Sequence, residues 1–164
     1  MKTFAITGLP RSGSAWVSQV MSGSDCACVH EGLSWNAALL NDLRSTPPKG
    51  LRYLGFSDTS IHLRPLGTIP PTAPLMVLAR PAIEVQRSLA LKGLEVGAEP
   101  LQEAWELILR TFIHHPGPVK IVQFSNLFSP NTILSIRSFL ATGAHFPPTS
   151  HLSLPLLRIS DTRL

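Results

Sequence analysis

The chain has 164 residues, 44% of them hydrophobic and 15% charged, with a formal net charge of +4. That balance excludes a disordered chain and fits one domain, residues 1–164, large enough to bury a substantial core. Of the 14 basic residues 10 are arginine, the better fork for phosphate, and they form no basic run or arginine/aromatic stripe, so an anionic small molecule is expected and nucleic acid is not.

Lys2 to Thr7 reads as the first strand. A Gly/Pro/Ser turn follows, and Ser12 to about Ser22 is predicted helical, with Trp16, Val17, Val20 and Met21 on one face. The chain enters this strand at once, so no signal peptide and a cytoplasmic location are expected. No apolar run reaches the roughly 18 residues a membrane-spanning helix needs. Cys26-Ala27-Cys28-Val29 is a short apolar strand ending in His30-Glu31-Gly32. Its two cysteines are expected on opposite faces as reduced, buried thiols, and no Cys/His spacing suits a metal.

A helix is predicted from Ser34 or Trp35 to Leu43, with Trp35 in the core, and Leu51 to Phe56 forms the next strand, ending at Ser57-Asp58-Thr59-Ser60. Residues 61–74 hold four prolines and read as a crossing loop. Leu75 to Ala79 is the clearest buried strand, and Pro81 suits the first turn of the helix after it. Leu101, Trp105, Ile108 and Phe112 mark another helix, with Trp105 in the core, Val119 to Val122 the last strand, and Asn131 to about Thr142 the last helix, stopped by Gly143. Strands alternating with helices predict a parallel α/β fold. The tail after Gly143 has no predicted element.

The turn from Gly8 to Gly13 has phosphate-loop spacing, G-x-x-x-x-G, between a strand and a helix, where free backbone N–H groups and the helix dipole favour an anion. The usual lysine is absent, since Ser14 stands there and Ala15 follows, and the loop's cation is Arg11. Pro10-Arg11-Ser12-Gly13-Ser14-Ala15-Trp16 resembles the P-[KR]-S-G-T-T-W loop of the sulfotransferases. That resemblance implies a P-loop NTPase-like three-layer sandwich around a central, mostly parallel five-stranded sheet. It also implies that the loop binds 3′-phosphoadenosine 5′-phosphosulfate (PAPS), with Arg11 at the transferring sulfate and Trp16 packed on adenine. Both threonines of the pattern are replaced, by Ser14 and Ala15.

A second segment, Arg80 to Ser88, resembles the family's R-[DN]-P-x-[DE]-x-x-x-S, whose Arg and Ser hold the 3′-phosphate. The Arg–Ser interval and Glu84 match, while the proline is one position early. Independently of that likeness, an Arg at a strand end and a hydroxyl two turns into the next helix can converge on one tetrahedral anion. Val122 to Leu127 is similar to the family's strand–Y-E-D-L–helix segment and speaks to the fold alone, since Ser125 and Asn126 replace the acids. The late glycine-rich segment of the family is absent, as in a short microbial or phage-type member.

Sulfuryl transfer needs a base for the acceptor hydroxyl and cations for developing charge. Glu31 and His30, at the end of the second strand, are the base candidates. Neighbours in a strand point oppositely, so one of them is expected to face the site, Glu31 ahead of His30. Asp58 and Ser60 end the third strand on the same edge and are candidate contacts to the acceptor, with a turn-capping Asp58 the favoured alternative. The expected activity is PAPS-dependent sulfuryl transfer to a hydroxyl or amine of a small-molecule or carbohydrate acceptor, releasing 3′,5′-adenosine bisphosphate (PAP), with no metal. A small P-loop kinase, and a module that binds PAP without transfer, are the other two readings.

Overall fold

The computed structural model describes residues 1–147. Its strands are β1 (Lys2–Gly8), β2 (Cys26–His30), β3 (Tyr53–Ser57), β4 (Leu75–Ala79) and β5 (Val119–Gln123). Its helices are α1 (Ser14–Val20), α2 (Ala37–Ser45), α3 (Ala82–Ala90), α4 (Ala98–His114) and α5 (Pro130–Leu140). The strands form one sheet in the order β2-β3-β1-β4-β5. Every neighbouring pair is parallel, where a mostly parallel sheet was expected.

Parallel sheets are covered on both faces, so their central strands are apolar throughout. All five residues of β4 are buried, as are Phe4 to Gly8 in β1. Phe4, Ile6, Met76 and Leu78 point to one face and pack against Trp16, Val17 and Val20 of α1 and Ile133, Ile136 and Leu140 of α5. On the other face, Ala5, Leu54, Phe56 and Leu75 meet Leu40 of α2, while Val77 meets Val85 and Leu89 of α3 and Leu101 and Ile108 of α4. Helix, sheet and helix therefore form three layers. Burying each of these large side chains is worth about 1.5–3 kcal/mol. Gly55 is required beneath Phe4, because a Cβ there would lie 2.0 Å from the phenyl ring.

The strand order sets the location of the site. The connection after β1 leaves through α1 on one face, and the one after the adjacent β4 leaves through α3 on the other. Neighbouring strands whose connections part in this way open a crevice at their carboxyl ends. The Gly8–Gly13 loop and Arg80 both lie at that point.

Several expectations are corrected. Helix α1 starts at Ser14, not Ser12, because Arg11 and Gly13 have φ of 64° and 90°, which no right-handed helix accommodates. Helix α2 starts at Ala37, because residues 31–36 wind through turns. Trp35, expected in the core, is 90% exposed on those turns. Trp105 is half-buried against the α3–α4 cluster. Cys26 and Cys28 share a face and a core cluster, since residues two apart along a strand point the same way; both are free thiols. The crossing loop contains short 3-10 turns at Ile61–Leu63 and Leu66–Thr68.

Beyond α5 the chain is pinned back onto the fold as far as Pro147. The buried Arg137 donates from Nε and Nη2 to the Val20 carbonyl, at 3.2 and 3.1 Å, and from Nη1 to that of Pro147 at 2.9 Å. Asp25 accepts from the His145 amide at 2.7 Å and pairs with Arg52 at 3.2 Å. Burial raises the Asp25 pKa, but the His145 hydrogen bonds and the Arg52 charge outweigh it and leave the carboxyl below its ordinary value. Residues 148–164 lie outside the described residues. Among the described residues no helix is long and apolar enough to cross a membrane.

Two measurements check this packing. Trp16→Ala is expected to cost about 3–5 kcal/mol in denaturant unfolding, whereas Trp35→Ala should stay within about 0.5 kcal/mol of wild type. Burial pushes both thiols up to about 12. A thiol reagent at neutral pH should therefore leave Cys26 and Cys28 unmodified in the native protein and label both after unfolding.

Candidate functional site

The loop leaves β1 at Gly8, which runs so close to β4 that a Cβ would stand 2.7 Å from the Leu78 carbonyl. It closes on itself through the Ser12 amide, which donates to the Leu9 carbonyl at 3.2 Å, and it turns left-handed at Arg11 and Gly13. Gly13 suits its position twice over: φ is 90°, and a side chain would strike Leu127 at 2.6 Å. Arg11 has no such freedom, and a left-handed non-glycine residue costs roughly 1–2 kcal/mol. Backbone strain of this kind persists where surrounding contacts over-determine it.

Those contacts come from β4 and α3. Arg80, just past the end of β4, donates from Nη1 to the Arg11 carbonyl at 2.5 Å. Its guanidinium lies 4.0 Å from the centroid of the Phe124 ring and 3.4 Å from the Glu84 carboxylate, with the side chain 17% exposed. Arg11 in turn donates from Nε to Ser88 Oγ at 3.2 Å. The three residues predicted from two separate segments thus meet at one place. Two guanidinium groups and a hydroxyl beside a loop of backbone amides form a donor set suited to a phosphate or sulfate.

The other loop residues are half-buried or buried. Pro10 and Ala15 are half-buried. Ser12 is fully buried, and its hydroxyl has no hydrogen-bond partner among the described residues. The Ser14 carbonyl accepts from Ser18 Oγ at 2.9 Å and faces Ser57 Oγ at 3.4 Å. Trp16 is 6% exposed and meets Phe128 edge-on with ring centroids 4.9 Å apart. Its indole is built into the core, so the adenine platform implied by the resemblance is not presented at the surface.

His30 and Glu31 stand across the same sheet edge. Strand alternation would separate them, but Glu31 lies just past β2 with φ of 50°. The turn brings both side chains to one side, with Nε2 of His30 3.9 Å from Oε1 of Glu31. The imidazole Nδ1 lies 3.0 Å from Ser57 Oγ, and Asn36 donates to the His30 carbonyl at 2.6 Å. Glu31 accepts from Ser34 Oγ at 3.1 Å and from Thr59 Oγ1 at 3.4 Å. Burial holds the His30 imidazole below its ordinary pKa, against the Asp58 charge, which favours the protonated ring. Burial, with Asp58 adding to it, pushes the Glu31 carboxyl up despite its hydrogen bonds. A neutral imidazole and a carboxylate of raised basicity are both suited to accepting a proton.

Asp58 caps turns, the favoured of the two roles expected of it, and is not placed to contact an acceptor. It is fully buried, and its Oδ2 accepts from the Leu33 amide at 2.8 Å and lies 3.1 Å from Ser34 Oγ, whose one proton it shares with Glu31. Oδ1 accepts from the Ser60 amide at 2.8 Å and the Ser60 hydroxyl at 2.5 Å. With both oxygens engaged, Asp58 braces the turns that carry Glu31, and the Ser60 hydroxyl is spent on that brace. Neither presents a free group to an acceptor. Sequence reasoning passed over Ser18, Ser57 and Asn36. Ser57 was findable as the last residue of β3, in register with His30.

Two surface hollows of about 460 and 400 Å³ lie at the amino edge of the sheet, around Met1, Lys2 and Tyr53, at the opposite end from these residues. Among the described residues no three His, Cys, Asp or Glu side chains group to hold a metal ion. Compared with known proteins, the chain matches no protein-family model and no curated protein.

The Glu31 environment has a stability signature. A carboxyl whose folded pKa is raised destabilises the fold once ionised, a cost present above the folded pKa and absent below the unfolded value near 4.5. Glu31→Gln should therefore be more stable than wild type at neutral pH. Thermal melts across pH should show that margin vanish as the pH falls below the unfolded value.

Proposed function

We propose that this protein binds a phosphonucleotide of the PAPS/PAP type at the carboxyl edge of its sheet and transfers a sulfuryl group to an acceptor hydroxyl or amine. The observation that carries this reading is the meeting of Arg11, Arg80 and Ser88, from three separate elements, beside a left-handed loop at the crevice between β1 and β4. Electrostatic stabilisation of a transferring oxyanion needs fixed donors placed before the reaction, and hydrogen bonds already hold these groups in place.

In this reading Arg80 and Ser88 hold one phosphate, and Arg11 with the loop amides faces the group in transit. The acceptor oxygen forms a bond to sulfur while the bond from sulfur to the phosphate oxygen breaks. PAP departs, and the acceptor proton passes to the His30–Glu31 pair. The acceptor approaches over the turns of residues 31–36. The buried Trp16 leaves adenine without the stacking partner seen in the family pattern, so the phosphates supply most of the affinity.

A nucleoside triphosphate with Mg²⁺ suits the loop less well. The phosphate-loop lysine position is Ser14, the position of the Mg²⁺-binding hydroxyl is Ala15, and β4 is followed by Arg80 in place of an acid.

Calorimetric titration should show PAP binding more tightly than ATP–Mg²⁺. Arg80→Ala should weaken PAP by about 1.5–3 kcal/mol through the lost charge-assisted contact, while Arg87→Ala, exposed on the same helix, should leave it unchanged. Tighter binding of ATP–Mg²⁺, or no effect of Arg80→Ala, would overturn the reading.

A further inference from the structure

Behind the His30 ring stand two serine hydroxyls and a backbone carbonyl, and the protons they share are few. Ser18 Oγ lies 2.9 Å from the Ser14 carbonyl and 2.7 Å from Ser57 Oγ. Ser57 Oγ lies 3.0 Å from His30 Nδ1 and 3.4 Å from the same Ser14 carbonyl. Each hydroxyl has one proton to give, and a carbonyl can only accept.

Suppose Ser18 donates to the Ser14 carbonyl. The 2.7 Å contact is then a hydrogen bond only if Ser57 donates to Ser18, and the 3.0 Å contact only if Nδ1 carries the proton. Suppose instead that Ser18 donates to Ser57 and Ser57 to the carbonyl. Nδ1 must again be the donor. A bare Nδ1 requires Ser57 to donate to the ring; whether Ser18 then donates to Ser57 or to the Ser14 carbonyl, the cluster makes one hydrogen bond fewer. Ser18 and Ser57 are both buried, so water does not readily make up the difference.

We infer that Ser57, whose single proton is drawn to Ser18 or to the Ser14 carbonyl, is a positioning residue that holds neutral His30 in the Nδ1–H tautomer, so that its Nε2 lone pair stands beside the Glu31 carboxylate. That tautomer is the reverse of the one a free imidazole prefers, so it identifies an imposed state. Glu31 Oε1 is 3.9 Å from Nε2, and the Asp58 charge acts on both groups. A proton arriving at Nε2 therefore gains a neighbouring carboxylate. The use of this arrangement in catalysis rests on the proposed transfer reading. There it places the acceptor's proton on His30, with Glu31 stabilising the imidazolium, the reverse of the order expected from the sequence. The tautomer itself does not depend on that reading.

Long-range ¹⁵N–¹H correlation spectra at mildly alkaline pH test it, with His30→Gln identifying the ring's signals. In the wild-type protein Nδ1 should be the protonated nitrogen and Nε2 the bare one. Ser18→Ala leaves Ser57 able to accept from Nδ1 while donating to the Ser14 carbonyl at 3.4 Å, so the ring should keep the Nδ1–H form. Ser57→Ala should return the ring to the free imidazole's preference. Wild-type His30 in the Nε2–H form, or a ring unmoved by Ser57→Ala, would overturn the inference. A failed PAP titration would sink the transfer reading alone and leave these spectra to decide the tautomer.

Discussion

The Arg11 carbonyl accepts a hydrogen bond from Arg80, and most of the site's geometry follows from that contact. It ties the end of β4 to the loop after β1, across the pair of strands whose connections diverge. It holds Arg11 in the left-handed conformation that directs its side chain to Ser88 on α3. Packing supports it from below, because Phe124 lies under the Arg80 guanidinium and Leu127 fills the space where a Gly13 side chain would stand. A cation placed by so many contacts loses little freedom when an anion arrives, which is the physical content of preorganisation.

The opposite wall of the edge is organised by burying polar groups and satisfying them. Asp58 is hydrogen-bonded through both oxygens and fixes the turns on either side of it. Those turns carry Glu31 past the end of β2 at a positive φ, and so bring it to the same side as His30. His30 is anchored through Ser57 to α1, the helix that the loop opens. The cationic wall and the proton-accepting wall are therefore joined through two serines and one carbonyl.

Much of this was legible in the residues, and for identifiable reasons. The apolar runs at Phe4–Ile6 and Leu75–Ala79 are long enough to require cover on both faces, which places β1 and β4 at the centre of a parallel sheet. The interval from Arg80 to Ser88 spans a strand end and two helical turns, and both residues reach Arg11, one at its carbonyl and the other at its Nε. What spacing cannot convey is backbone sign and partner identity. Nothing in His30-Glu31-Gly32 announces that Glu31 and not Gly32 takes the positive φ, and so the expected separation of the two side chains was wrong. Trp35 fitted an amphipathic helix until Asp58 and Asn36 wound its segment into turns. Trp16 was placed correctly on α1, but its partner Phe128 lies more than a hundred positions away and leaves no local trace.

If the carboxyl edge between β1 and β4 receives a phosphonucleotide, as proposed, backbone amide shift mapping with PAP will locate it there without requiring an acceptor. Perturbations should concentrate at residues 8–14, Arg80 and Ser88. Perturbations confined to the amino-edge hollows around Lys2 and Tyr53, or none at saturating PAP, would contradict it.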